Sequence, residues 1–205
     1  MANNIKQVSN VNGSKMNLGD IEKAAIRGVE QGANVFSADQ TILPANILYG
    51  GAHTVLSEAG TAHTNSTDET ALATATFAAN TLRAGNSIQV FGQGIATATN
   101  STDTLTIKLN FGGAAILTTA ALDVADDDIF IVDAFITLRT VGSSGTYVAA
   151  GHTYMDANGG TRLSGIKGST AVDTTAAVTC TLSADWSAAN AGNSCRADIF
   201  TVIVH

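Results

Sequence analysis

The sequence predicts an all-β protein: an antiparallel jelly-roll β-sandwich preceded by an N-terminal arm that carries one short helix. Three observations support this. From about residue 68 onward, apolar or small residues recur at every second position in segment after segment. Between those segments lie NSTD, NFGG, GSSG, DANGG and AGNS, all of them loop chemistry. No helical pattern of any length interrupts the series, which excludes βαβ crossover units.

The chain is expected to divide into an arm over residues 1–60 and a sandwich over 61–205. Within the arm, NLGDIEKAAIRGVEQG is the one good helix signal, predicting a helix over about 17–31. Asn17 can cap it, and Asp20 and Glu22 sit where the helix dipole favours acids. Leu18, Ile21, Ala25 and Val29 form a stripe at helical spacing, and Gly32 can end the helix. Val35, Phe36, Ile42, Leu43, Ile47 and Leu48 follow around Pro44, the only proline. They are too apolar for a solvated linker and show no clean alternation. The arm therefore lies on something: its own domain, a partner subunit or another protein.

The strands come next. ETALATATFAANTL, SIQVFGQGIATAT, DTLTIKLNF and AAILTTAAL alternate in turn, and DIFIVDAFITLRTV is the strongest strand signal in the chain. In it Phe130, Val132, Ala134, Ile136 and Leu138 share one face, while Asp128, Asp133 and Arg139 mark turns or the other side. GTYVAAGHTYMD, GIKGSTAV, AAVTCTLSADW and CRADIFTVIVH complete the series. Val178, Cys180, Leu182, Ala184 and Trp186 line one face of the penultimate strand. The last strand is bulky on both faces, with Ile199 and Ile203 on one and Phe200, Val202 and Val204 on the other, so it should be central or doubly covered. The total is roughly eight or nine strands, which suits a sandwich. Both Asn-Ser-Thr-Asp copies, at Asn65 and Asn100, are expected to close tight turns through their own side chains.

Composition limits what the surface can do. Charged residues are only 13%, against about 25% in typical globular domains. Thr, Ser, Asn, Ala and Gly must fill much of the surface, which is cheap to desolvate and suits burial against other subunits. The net charge is −7, and no two of the ten Lys and Arg residues are adjacent. That balance argues against nucleic acid. No stretch is apolar enough to span a membrane. MANNIKQVSN lacks the apolar core of a signal segment, so folding is expected in a reducing, cytosol-like compartment. If the segments of Cys180 and Cys195 form a hairpin, Cys195 falls opposite Trp186, and no bridge to Cys180 is expected.

No chemical motif stands out. Asp126, Asp127 and Asp128, with Asp123 and Asp133 near, lack the spacing and the glycine of a calcium loop and read as an acidic turn. His53, His63, His152 and His205 show no zinc-ligand spacing and read as surface residues. Gly92-Gln93-Gly94 and Gly112-Gly113 do not open a helix, so they mark bulges or close backbone approach and no phosphate loop. Trp186, Tyr147 and Tyr154 could form a sugar platform, but Trp186 shares a face with Leu182 and belongs to the core. No catalytic residue, cofactor or metal is assigned, and the chain is expected not to be an enzyme.

Several segments carry a resemblance. They are the Leu-Arg-Ala-Gly lead-in at 82–85, the ATATNSTDTLTIKL segment read as a hairpin, DVADDDIFIVDAFITLRT, the GSSGT turn and DTTAAVTCTLSADWSAANAGNSCRADIFTVIV. Together, over roughly residues 68–204, they resemble the jelly-roll virion structural proteins of tailed bacteriophages. Members of that family serve as capsid decoration (cement) proteins or as head and tail appendages. The resemblance implies a homotrimer bound to the major capsid protein on the exterior of the virion, assembled in the host bacterial cytoplasm. The arm residues Leu18, Ile21, Ala25, Val29, Val35, Phe36, Ile42, Leu43, Ile47 and Leu48 are then the expected capsid or subunit contacts. The alternative is a receptor- or glycan-binding head or tail fibre domain, with Trp186 or Tyr154 at its pocket.

Overall fold

The computed structural model describes residues 7–9, 15–17, 52–56, 59–100, 102–156 and 161–205. The chain divides into two compact units, Met1–Ile42 and Leu43–His205. In the first, β1 (Gln7–Ser9) and β2 (Lys15–Asn17) form an antiparallel pair with Val8 opposite Met16. The predicted helix over 17–31 lies outside the described residues except for Asn17, which ends β2.

The second unit is built from β3 (Ala52–Leu56), β4 (His63–Thr64), β5 (Thr70–Phe77), β6 (Ser87–Thr97), β7 (Thr104–Phe111), β8 (Ala114–Thr118), β9 (Leu122–Asp123), β10 (Asp128–Thr140), β11 (Gly145–Met155), β12 (Thr161–Val172), β13 (Val178–Trp186) and β14 (Ser194–Val204). The large sheet runs β12-β11-β10-β6-β14-β3, with β4 also on β14. The small sheet runs β5-β13-β7-β8, with β9 on β7. Every pairing is antiparallel. Pairings nest from the outside in: β4 with β14, β5 with β13, β6 with β10, β7 with β8. Successive pairs fall in alternate sheets, and that is the wrapping of a jelly roll. The β11–β12 hairpin extends the large sheet beyond this nest.

The alternation in sequence becomes the two-sided burial of each strand. Inward residues of β6, β10 and β14 (Ile88, Val90, Phe130, Val132, Ile136, Phe200, Val202) face those of β7 and β13 (Leu105, Ile107, Leu109, Cys180, Leu182, Trp186), and all are buried. Phe111 packs edge-on to Phe77 at 5.9 Å and to Tyr147 at 5.1 Å between ring centres. The Tyr147 hydroxyl, meanwhile, donates to the Phe111 carbonyl at 3.3 Å. Gly94 lets two chains approach: a Cβ there would strike Arg196 O and stand 2.6 Å from Phe130 Cε1. This is the close backbone approach expected of the Gly92–Gly94 segment. β14 is interior to its sheet as expected, yet Ile199 on its outer side is exposed, so it is covered on one face only among the described residues.

Three expectations are corrected. The segment 52–56, assigned to the arm, is β3, and Leu56 packs against the core. The ATATNSTDTLTIKL segment is no hairpin, because β6 and β7 lie in opposite sheets and the turn between them is an arch over the end of the sandwich. The same holds for β13 and β14. Cys195 therefore sits opposite Ala96 and His63, whereas Cys180 sits opposite Ala75 and Phe111. Both cysteines are buried free thiols, so the conclusion of no bridge holds for a different reason.

Candidate functional site

The two outer faces of the sandwich differ in chemistry. On the small sheet, Thr74, Thr106, Lys108, Asn110 and Thr181 face outward, and most of them bond to neighbouring side chains. The Glu69 carboxylate, just before β5, accepts from Lys108 Nζ at 2.6 Å, from Ser183 Oγ at 2.6 Å and from Asn110 Nδ2 at 3.3 Å. These bonds, the one from Lys108 foremost, hold its pKa below the ordinary carboxylate value. Thr74 Oγ1 donates to Thr181 Oγ1 across the strands at 3.3 Å. A face like this is at home in water.

The outer face of the large sheet is apolar over much of its width. Register places Ile129 beside Ile95, and Ile131 beside Gln93 and then Ile199. Ile129 is 39% and Ile199 38% exposed, and Ile95 and Ile131 are half-buried. A bulge between Ala197 and Ile199 turns Arg196, Asp198 and Ile199 all to the outside, where Arg196 Nε donates to Asp198 Oδ1 at 2.9 Å. This patch occupies β14, β6 and the first half of β10.

A groove of about 300 Å³ opens on the other half of the same face, across β10, β11 and β12. One row across the strands is polar: Asp133, His152 and Ser164. The next row is apolar: Phe135, Ala150 and Ile166. Phe135 is 48% and Ile166 86% exposed, and both stand over the low floor of Ala150 and Gly151. His152 Nε2 lies 3.8 Å from Asp133 Oδ2.

Other polar side chains hold turns together. At the arch between β6 and β7, Asp103 Oδ2 accepts from Asn193 Nδ2 at 2.9 Å, Asn100 Nδ2 at 3.2 Å and Asn190 Nδ2 at 3.3 Å. It thus clamps that turn to the β13–β14 turn. The other Asn-Ser-Thr-Asp copy only closes itself, Ser66 Oγ accepting from Asp68 N at 3.0 Å. Asp128 Oδ2 accepts from Ala125 N, and Asp127 exchanges bonds with Thr97 Oγ1, so the acidic run is a capped turn before β10. Among the described residues, no three His, Cys, Asp or Glu side chains gather as metal ligands. Within that same set, no helix is long and apolar enough to cross a membrane.

Of the expected contact residues, Leu18, Ile21, Ala25, Val29, Val35, Phe36, Ile42, Leu43, Ile47 and Leu48 all lie outside the described residues. Trp186 is buried in the core, as its face predicts, so it is no sugar platform. His63 is buried as well, contrary to the surface reading. It pairs with Cys195 on the inner side, its Nε2 has no hydrogen-bond partner, and burial lowers its pKa below the ordinary histidine value. Sequence reasoning missed the outer face of β10. DIFIVDAFITL is bulky at Ile129, Ile131 and Phe135 as well as at its inward positions, the same two-faced pattern that was recognised in β14.

No protein-family model matches the chain, and no curated protein matches it. Among solved structures, the CBM2 module of the evolved Dit protein of Lactobacillus casei BL23 phage J-1 is similar at 11% identity, over 78% of this chain and 82% of that one, with a TM-score of 0.26. A likeness that slight leaves the chain without an assigned family.

What the described arrangement offers is association. The four isoleucines gain the hydrophobic term when covered, and the neighbouring Arg196 and Asp198 are already paired with each other. The opposite face, polar and internally bonded, offers no such gain.

Proposed function

We propose that this chain is a virion structural protein: a capsid decoration, or cement, protein that binds the outside of a tailed-phage head and holds neighbouring capsid subunits together. The observation that carries the reading is the patch of Ile95, Ile129, Ile131 and Ile199 on the large sheet, set against the polar face of the small one. At these exposures, covering each isoleucine stabilises a contact by roughly 1 kcal/mol. One copy would hold weakly. A closed oligomer on a repeating lattice multiplies each contact, so small terms add to a firm clamp.

In this reading the partners are the major capsid protein and two further copies of the chain in a homotrimer. The arm residues Leu18 to Leu48 supply a second contact. No cofactor, metal, nucleic acid or membrane takes part, and the protein is not an enzyme. It is made in the host bacterial cytoplasm and ends on the capsid exterior.

Light scattering of the full-length protein tests the trimer, with three times the 20.8 kDa chain mass expected. A chain from Leu43 to His205 retains β3 to β14 and lacks Leu18, Ile21, Ala25, Val29, Val35, Phe36 and Ile42. Full head binding by that shorter chain would rule out those seven residues as contacts.

A further inference from the structure

We propose that the groove on β10, β11 and β12 is a binding site for a single neutral sugar ring, seated between the Asp133–His152–Ser164 row and the Phe135–Ile166 row. This goes beyond the decoration role and does not depend on it.

Dimensions come first. Rows two residues apart along a strand lie about 7 Å from each other, and three neighbouring strands span about 10 Å. That area, with a depth set by the Phe135 and Ile166 side chains, matches one pyranose ring. The 300 Å³ volume is at the small end of ligand sites. Register explains why the space is open: Ala150 is the only side chain between Phe135 and Ile166 in its row.

The chemistry of the walls selects the ligand. A pyranose has an apolar C–H face and a rim of hydroxyls, so it needs an apolar surface beside hydrogen-bonding groups. Phe135 presents about half of its surface in the middle of a sheet, where it is not required by the core. The polar row supplies a carboxylate, an imidazole and a hydroxyl. At 3.8 Å, Asp133 Oδ2 and His152 Nε2 are too far apart for a hydrogen bond to each other. A ligand hydroxyl between them can donate to the carboxylate and bond to the imidazole at ordinary distances.

Other ligand classes fit less well. An anion would face the Asp133 carboxylate. A metal ion would find only one carboxylate and one imidazole in the groove. A long apolar peptide would bury the carboxylate against hydrocarbon.

The test is a titration of full-length protein with methyl glycosides of glucose, galactose, mannose, rhamnose and N-acetylglucosamine, followed by backbone amide shifts. One shallow ring site predicts a dissociation constant of about 1 mM. The expected result is saturable shifts confined to strand segments 133–135, 150–152 and 164–166 with at least one sugar. The near-isosteric Asp133→Asn should weaken that binding at least tenfold, and Phe135→Ala should abolish it, with spectra otherwise unchanged. Absence of shifts with every glycoside at about 20 mM, twenty times the predicted constant, would overturn the proposal. So would shifts mapping elsewhere on the protein. Head binding is read separately, so failure here leaves the decoration reading standing.

Discussion

The two Asn-Ser-Thr-Asp copies make a controlled comparison, because one tetrapeptide is placed in two environments. Asp103 is almost fully buried, and its Oδ2 accepts three side-chain amides, one of them from the fully buried Asn193. Asp68 is exposed, and its carboxylate is not an acceptor in the turn that Ser66 closes. A hydrogen bond to a charged group contributes about 1.5–3 kcal/mol, and a buried donor left without its partner adds a desolvation cost. Asn193 Nδ2 keeps a longer bond to Ala188 O at 3.3 Å, and Asn190 and Asn100 are nearer solvent, which offsets part of the loss. Asp103→Ala should therefore destabilise the sandwich by about 3 kcal/mol, or roughly 6–12 °C in melting temperature. Asp68→Ala should change it by less than about 0.5 kcal/mol. Urea unfolding followed by circular dichroism at neutral pH reads both. Equal losses from the two variants would refute the clamp, as would an Asp103→Ala protein as stable as the parent.

Three further outcomes follow from buried groups. His63 has a folded pKa below its unfolded one, so its contribution is present above about pH 6.5 and is lost as pH falls through the folded value. Stability should drop as pH falls below about 6.5, and His63→Phe should flatten that slope in denaturant midpoints taken across the range. Gly94→Ala should cost about 3 kcal/mol or prevent folding, because its Cβ meets Arg196 O and the Phe130 ring, while Gly168→Ala, with open space around it, should be neutral in the same melt. Burial pushes the thiols of Cys180 and Cys195 up to about 12, so a thiol reagent at neutral pH should label neither until the sandwich is unfolded.

Most strands were legible because each buries one face against the opposite sheet, and burial on one face writes a period of two into the sequence. β10 and β13 are the clearest cases, their inward residues being read correctly one by one. Sheet membership was not legible. A turn such as Asn100 to Asp103 closes by local hydrogen bonds whether its strands pair or part into two sheets. What decides is the partner at a distance, here Asn193, ninety residues on. That is why the β6–β7 arch was read as a hairpin. The two cysteines kept the right outcome with the wrong neighbours for the same reason. His63 was misread because a two-residue strand carries no periodicity.

The candidate site was legible only in its materials. Low charge predicted a surface suited to association, but which face carries it depends on the register of β6, β10 and β14. The groove is less legible still. Asp133, His152 and Ser164 are far apart in sequence, and only the meander of β10, β11 and β12 sets them in one row.

The central claim is that the isoleucine patch docks on a phage head. The most direct measurement is co-sedimentation of the full-length protein with heads that lack their decoration protein, comparing the parent with the double variant Ile129→Asp and Ile199→Asp. The account predicts saturable binding by the parent and at least a tenfold loss in the variant, with both proteins folded at the temperature of the assay as read by circular dichroism. Binding by the variant equal to that of the parent, or no binding by the parent at all, would contradict it.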